Sequence, residues 1–245
     1  KKKYIPVFLR KKEINDFYYG TSNEALWPLF HYFIEFSIFN KSHWKSYVNV
    51  NKKFADCVIK YAEKDDIVWV HDYQLLLCPS MIKTKRPDLT VGFFLHIPFP
   101  SFEIFRIFAK REELLKGMLG ADLLGFHTYD YERHFLSSVK RILNLEVNFN
   151  VVLYQGREIV VNTFPMGIDF KKFEEAAQKN LRISPGSSEL KRQINTHKLA
   201  NEGKLILSID RLDYTKGVLN RLLAFERFLD TCLLYTSPSP RDRTR

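Results

Sequence analysis

Apolar residues in this chain fall into short, bounded runs separated by longer stretches with helical spacing. One run, Ile67 to Val70, ends on His71-Asp72, and another, Val91 to Leu95, ends on His96 and breaks at Pro98 and Pro100. Between them lie an amphipathic segment from about Tyr73 to Lys83 and a polar turn, Lys85-Arg86-Pro87-Asp88. Runs rich in Val, Ile, Phe and Trp predict buried strands, and the segment between them is long enough for a helix. Strand, helix and strand in one sheet form a right-handed parallel crossover. Both strands then end at the same sheet edge, where open parallel sheets bind ligands. Asp72 and His96 are therefore expected to face one crevice.

The flanking pattern extends the picture. Residues 1 to 22 are polar and turn-rich, and Ser22 or Asn23 can cap a helix through Ala25 to Phe30. Pro28 is tolerable near the first turn of such a helix. The aromatic run Phe30, His31, Tyr32, Phe33 and Phe36 predicts deep burial all round. Helices are expected near Trp44 to Ala62, after Pro100 as far as Gly120, and to about Leu143. Ala121 to His127 reads as a third strand, and Val151 to Tyr154 with Ile159 to Phe164 as a hairpin. Residues 170 to 200 are polar and helix-prone, with the break Ser184-Pro185-Gly186 as a domain hinge. Leu205 to Asp210 predicts a fourth parallel-type strand, followed by Arg211-Leu212-Asp213-Tyr214-Thr215-Lys216-Gly217 and a helix ending near Leu229.

These elements divide into a first α/β domain over 1–183, a strand–loop–helix of a second domain over 184–232, and a Ser/Pro/Arg-rich tail over 233–245. The tail loses all periodicity and is read as disordered or non-native. The chain starts without Met, so the sequence is expected to begin within a longer protein.

Composition narrows the class. Of 245 residues, 45% are hydrophobic and 27% charged, which is enough apolar material for a core. No apolar run approaches the ~18 residues that span a bilayer, and no signal peptide is visible, so no membrane partner is expected. Cys57, Cys78 and Cys232 are odd in number and widely spaced, which excludes a zinc pattern and predicts a reducing, cytoplasmic setting. The net charge of +10 suits nucleic acid or phosphorylated small molecules, but the basic residues are scattered and accompany no nucleic-acid motif, so no nucleic-acid partner is expected.

Each candidate residue has two readings. Asp72 can serve chemistry or cap the next helix, and His96 can bind a ligand or pack in the core. His71, Asp72 and His96 are residue types that bind metals, but their spacing settles no ligand geometry, and neither metal nor cofactor is assigned. Arg211 and Lys216 lie at a strand end and helix start, where amides and two cations make a phosphate site, or else a solvated charge pair beside a turn. Tyr18 and Trp27 read by default as core or wall residues.

Several blocks together carry a resemblance. They are Tyr18 to His31 (YYGTSNEALWPLFH), Trp69 to Leu75 (WVHDYQL), Gly92 to Pro100 (GFFLHIPFP), Gly120 to Thr128 (GADLLGFHT), Pro165 to Asp169 (PMGID) and Arg211 to Gly217 (RLDYTKG). In this order they resemble the trehalose-6-phosphate synthases, a family of retaining GT-B glycosyltransferases. The resemblance implies two Rossmann-like parallel-sheet domains facing across a cleft, the first partial and the second truncated here. It implies glucose transfer from UDP-glucose to glucose 6-phosphate, without metal. Tyr18 and Trp27 would hold the acceptor's phosphate side, and Asp72 its sugar hydroxyls. His96 would lie by the transferred glucose, and Arg211 and Lys216 would clamp the UDP diphosphate. His96 and Asp72 are thus the catalytic candidates. A silent synthase-like subunit that binds sugar phosphate is the alternative, and a homo-oligomer or an association with a trehalose-phosphate phosphatase fits either. Much of the donor domain would lie beyond Leu229, so little activity is expected of the 245 residues alone.

Overall fold

The computed structural model describes residues 4–182 and 206–231, with positions 189, 192, 193 and 196 between them. The expected hinge at Ser184 to Gly186, Leu205, Cys232 and the 233–245 tail lie outside the described residues. The chain divides into two compact units, Lys1–Gly167 and Ile168–Arg245.

The first unit is built on a six-stranded sheet. Its strands are β1 (Ile67–His71), β2 (Thr90–Phe94), β3 (Leu123–Phe126), β4 (Val147–Asn148), β5 (Val151–Tyr154) and β6 (Arg157–Thr163), in the order β1-β2-β3-β6-β5-β4. The pairs β1–β2, β2–β3 and β3–β6 are parallel, and the pairs β6–β5 and β5–β4 are antiparallel. The expected hairpin forms around Gln155-Gly156, both at positive φ (52° and 71°), which matches the twist of the flanking strands. Its second strand also enters the parallel sheet, with Leu124 opposite Val161.

The crossovers follow from the sequence pattern. Between β1 and β2, the expected single helix is a 3₁₀ turn, Tyr73–Leu75, followed by an α-helix, Cys78–Lys85. Pro79 lies in the first turn of that helix, where its missing N–H costs nothing. Helices Phe102–Phe105 and Arg111–Met118 lead to β3, and Tyr129–Leu143 leads from β3 to the hairpin. Val91, Leu124, Phe126, Val152, Ile159 and Val161 fill the core on the helix-covered face. The opposite face departs from the expectation of strands buried on both sides. There Ile67 is 79% exposed and Trp69 66%, because the described helices pack on the other face.

The N-terminal helix also departs from expectation. Helicity begins at Lys11, becomes π-helical over Asn15–Leu26 and returns to α over Trp27–Phe30, so neither Ser22 nor Asn23 caps it. Pro28 has no N–H to return to the carbonyl of Glu24. That carbonyl instead accepts the Ile38 N–H at 2.8 Å, and the carbonyl of Ala25 accepts the Ser37 hydroxyl at 2.8 Å. The helix stops as Tyr32 takes φ 68°, which leaves Tyr32 and Phe36 half exposed rather than deeply buried.

The long helix Lys41–Tyr61 packs against this segment and is capped by Asn40, whose Oδ1 accepts the Ser42 N–H at 2.8 Å. Its buried stripe contains two polar side chains. The Tyr47 hydroxyl donates to the Tyr73 carbonyl at 2.6 Å and accepts from the Leu76 N–H at 3.2 Å. Asn51 donates to the Gln74 carbonyl at 3.0 Å and accepts from the Leu77 N–H at 3.1 Å. These bonds satisfy the backbone that leaves β1, which would otherwise be buried without partners.

In the second unit, helices cover Phe170–Arg182 and Val218–Thr231. Residues 206–210, expected as a parallel strand, have no ladder partner among the described residues. A strand exists only through its neighbour's hydrogen bonds, and Ile206, Leu207 and Ile209 are accordingly exposed.

The packing of Gly120 makes a direct test. A Cβ there would lie 2.1 Å from the Ser80 backbone nitrogen and 2.4 Å from the Pro79 carbonyl carbon, with no flexible side chain to yield. Gly120→Ala should therefore lower stability by ~1–3 kcal/mol through overpacking. Denaturant unfolding checks this, and an unchanged midpoint would contradict the close approach.

Candidate functional site

The parallel registers bring three strand ends to one edge. His71, the last residue of β1, lies opposite Phe94, and Phe94 opposite Gly125, so His71 ends its strand beside the two loops that carry His96 and His127. Asp72 begins the turn after β1 in a backbone conformation, φ 71° and ψ 170°, that is almost reserved for glycine. Such a conformation costs ~1–3 kcal/mol and persists only where its surroundings enforce it. Here the Asp72 N–H donates to the Phe94 carbonyl at 2.8 Å, and the Asp72 carbonyl accepts the Leu75 N–H at 3.0 Å. Its Oδ1 accepts two more backbone N–H groups, Tyr73 at 2.9 Å and His96 at 3.2 Å. One carboxylate oxygen therefore ties the end of β1 to the loop after β2. Among the described residues, Oδ2 accepts no hydrogen bond.

His96 is held by side chains as well. Its Nε2 lies 2.9 Å from Nδ1 of His71, and its ring lies 5.7 Å from that of His127. Partial burial lowers its pKa. The Asp72 carboxylate opposes this shift, while His71 and His127 add to it. His96 is therefore held in its neutral form at neutral pH.

Trp27 reaches the same edge through an aromatic contact. Its ring lies 5.6 Å from that of Tyr73, the residue after Asp72, and 4.0 Å from that of His31. The Tyr73 hydroxyl donates to Asn23 Oδ1 at 2.8 Å, which ties the π-helical stretch to the strand edge. Tyr18, on that stretch, is partly exposed and meets the edge of the Tyr19 ring at 5.3 Å. The structure thus joins Asp72 directly to His96 and links Trp27 to them through Tyr73. It leaves Tyr18 on the surface of its own helix.

Beside the histidines, a depression of about 580 Å³ lies on the open sheet face, lined by Trp69, His71, Phe94, His96, Gly125 and Met166. Gly125 leaves room there for the Phe94 ring, because a Cβ would lie 2.6 Å from it.

Arg211 and Lys216 belong to the second unit. Asp213 caps the turn between them, accepting the Thr215 N–H at 2.9 Å and the Thr215 hydroxyl at 2.7 Å. Burial would raise the Asp213 pKa, but the Thr215 hydrogen bonds and the charges of Arg211 and Lys216 lower it overall. Gly217, at φ 59°, then closes the turn before the final helix. Reading by motif missed Asp213, His127, Tyr73 and the partnership of His71 with His96. A histidine directly after an apolar run recurs at 71, 96 and 127, and that repetition was the available signal. Among the described residues, no group of three or more His, Cys, Asp or Glu side chains has a metal-holding arrangement. No helix there is long and apolar enough to cross a membrane.

The profile of Glycosyltransferase family 20 matches residues 1–236. The chain is 46% identical over 224 residues to alpha,alpha-trehalose-phosphate synthase [UDP-forming] A of Dictyostelium discoideum, covering 91% of this chain and 30% of that protein. The crystal structure of a UDP-forming alpha,alpha-trehalose-phosphate synthase from Burkholderia vietnamiensis superposes with a TM-score of 0.84 at 31% identity, over 94% of this chain and 50% of that one. The N-terminal domain of Candida albicans trehalose-6-phosphate phosphatase superposes at 0.75 with 38% identity, over 92% of this chain and 47% of that one. The chain therefore spans half or less of the length of each of these relatives.

Two results are expected at Asp72. Asp72→Asn keeps an acceptor at Oδ1 and should stay within ~1 kcal/mol of the parent, whereas Asp72→Ala orphans two N–H groups at ~1–3 kcal/mol each. Equal denaturation midpoints for the two variants would rule out this role. Loss of the carboxylate charge in Asp72→Asn should also lower the His96 titration midpoint further, as read by NMR. The sign for stability follows from the lowered His96 pKa. As pH falls below the ordinary imidazole value, the unfolded chain takes up a proton before the folded one. The contribution of His96 is therefore complete at neutral pH and is lost as pH falls through that window.

Proposed function

The chain belongs to glycosyltransferase family 20, and from that premise we propose that the whole protein transfers glucose from UDP-glucose to glucose 6-phosphate with retention, giving trehalose 6-phosphate and UDP. The fold is α/β, of the GT-B class of its solved relatives. The observation that carries the reading is Asp72, a carboxylate in a strained turn at the ligand-binding edge of a parallel sheet, with Oδ2 left over from the backbone bonds.

In this reading Oδ2 of Asp72 accepts hydrogen bonds from hydroxyls of the acceptor sugar. Tyr18 and Trp27 hold the acceptor's phosphate side. His96, neutral at neutral pH, turns the negative end of its dipole toward the transferred glucose, where positive charge develops as the glycosidic bond to UDP breaks. Arg211 and Lys216 stabilise the negative charge growing on the leaving diphosphate, which lowers the barrier because that charge is largest in the transition state. Retaining glycosidases use a carboxylate nucleophile. Here departure and attack on the same face of the sugar, guided by the phosphate, require none. Neither metal nor cofactor enters these steps. The free thiols of Cys57 and Cys78 suit the cytoplasm.

A second reading, a silent subunit that binds sugar phosphate and regulates a phosphatase partner, draws support from the likeness to the N-terminal domain of a protein named as a phosphatase. A coupled assay for UDP release by the complete protein separates the two. Under the first reading it turns over, and Arg211→Ala or Lys216→Ala slows it by roughly one to two decades, the worth of one charge-assisted contact of ~1.5–3 kcal/mol. Unchanged turnover in either variant would remove that residue from the clamp. Glucose 6-phosphate binding without any UDP release would instead favour the regulatory subunit.

A further inference from the structure

His71 ends β1, and His96 follows β2 on the same side of the sheet. The register sets His71 opposite Phe94, and His96 lies two residues further on, so the two rings meet with Nδ1 of His71 2.9 Å from Nε2 of His96. The His71 ring is itself braced by Trp69, with centroids 4.6 Å apart. Two nitrogens at that distance need one proton between them, and each neutral imidazole carries only one. If His71 donated, both rings would have to be protonated at Nδ1. If His96 donates from Nε2, both rings are protonated at Nε2, the tautomer that imidazole side chains favour intrinsically.

We propose that His71 is a positioning residue that accepts the Nε2 proton of His96 and so keeps the Nδ1 lone pair of His96 turned outward as a hydrogen-bond acceptor. The pair then presents one acceptor, Nδ1 of His96, and one donor, Nε2–H of His71, and neither atom has a partner among the described residues. Donor and acceptor lie at opposite ends of the pair, so the acceptor, Nδ1 of His96, suits the proton of one sugar hydroxyl. Assigning that hydroxyl to the transferred glucose rests on the function proposed above. The tautomer assignment rests on the 2.9 Å contact and on the intrinsic preference of imidazole for the Nε2–H form. Burial, with His127 on the far side of His96, disfavours the imidazolium that would erase the acceptor, while Asp72 opposes this.

The test is long-range proton–nitrogen NMR on the 245-residue chain carrying ¹⁵N-histidine. Above the imidazole titration range, His71 and His96 should both show Nε2–H, and the His96 Nε2 proton should exchange slowly with solvent. His71→Phe keeps a ring against Trp69 but removes the acceptor. It should turn His96 into a mixture of tautomers, abolish the slow proton and raise its titration midpoint, since His71 lowers it. His71→Asn offers an amide oxygen near the former Nδ1 and should restore the single tautomer and the slow proton. A purely structural role would produce neither the tautomer change nor its rescue. His96 protonated at Nδ1 or freely exchanging in the unsubstituted chain overturns the proposal, even if His71→Phe fails to fold. A single tautomer persisting in folded His71→Phe overturns it as well. Calorimetric titration of glucose 6-phosphate into the same chain reports on the proposed function separately, so either idea can fail without the other.

Discussion

The turn after the first strand depends on two polar side chains buried in the long helix, Tyr47 and Asn51. Between them they satisfy the backbone from Tyr73 to Leu77 in a region from which water is excluded. Burial raises the Tyr47 hydroxyl's pKa far above the ordinary phenol value, so it remains a neutral donor and acceptor. Because this short segment cannot relax, the residue before it can be held in a conformation that an aspartate would otherwise leave. The strain at Asp72 and the clamp on the residues after it are two parts of one arrangement.

Asp72 passes that rigidity across the sheet. Its Oδ1 binds the backbone at the starts of two successive loops, which ties the end of β1 to the end of β2. The histidines then meet through strand register rather than through any local motif. His71 lies in one row with Phe94 and Gly125, and His96 and His127 each lie two residues beyond that row, so the three rings reach neighbouring places on the edge. Tyr73 connects this edge to the helical N-terminal segment by setting its ring at a tilt beside Trp27 and bonding to Asn23. A single turn therefore coordinates three elements that are far apart in the chain.

The sequence by itself determined the parallel α/β core of the first unit, because short apolar runs ending in histidine allow little else once helices separate them. It determined that Asp72 and His96 would meet, since a right-handed crossover leaves no other edge for both. It also determined the family, through several blocks in order rather than through any single motif. It misplaced the N-terminal helix, whose register depends on Ile38 and Ser37 returning to carbonyls near Pro28, a contact across a loop. It predicted a strand at 205–210, of which 206–210 are described and unpaired, because apolar composition cannot supply the neighbour a strand needs. Only the tertiary structure decided the strain at Asp72, the partnership of His71 with His96 and the role of Asp213 between two cations. Each of these depends on distances between backbone and side-chain atoms that local propensity does not encode.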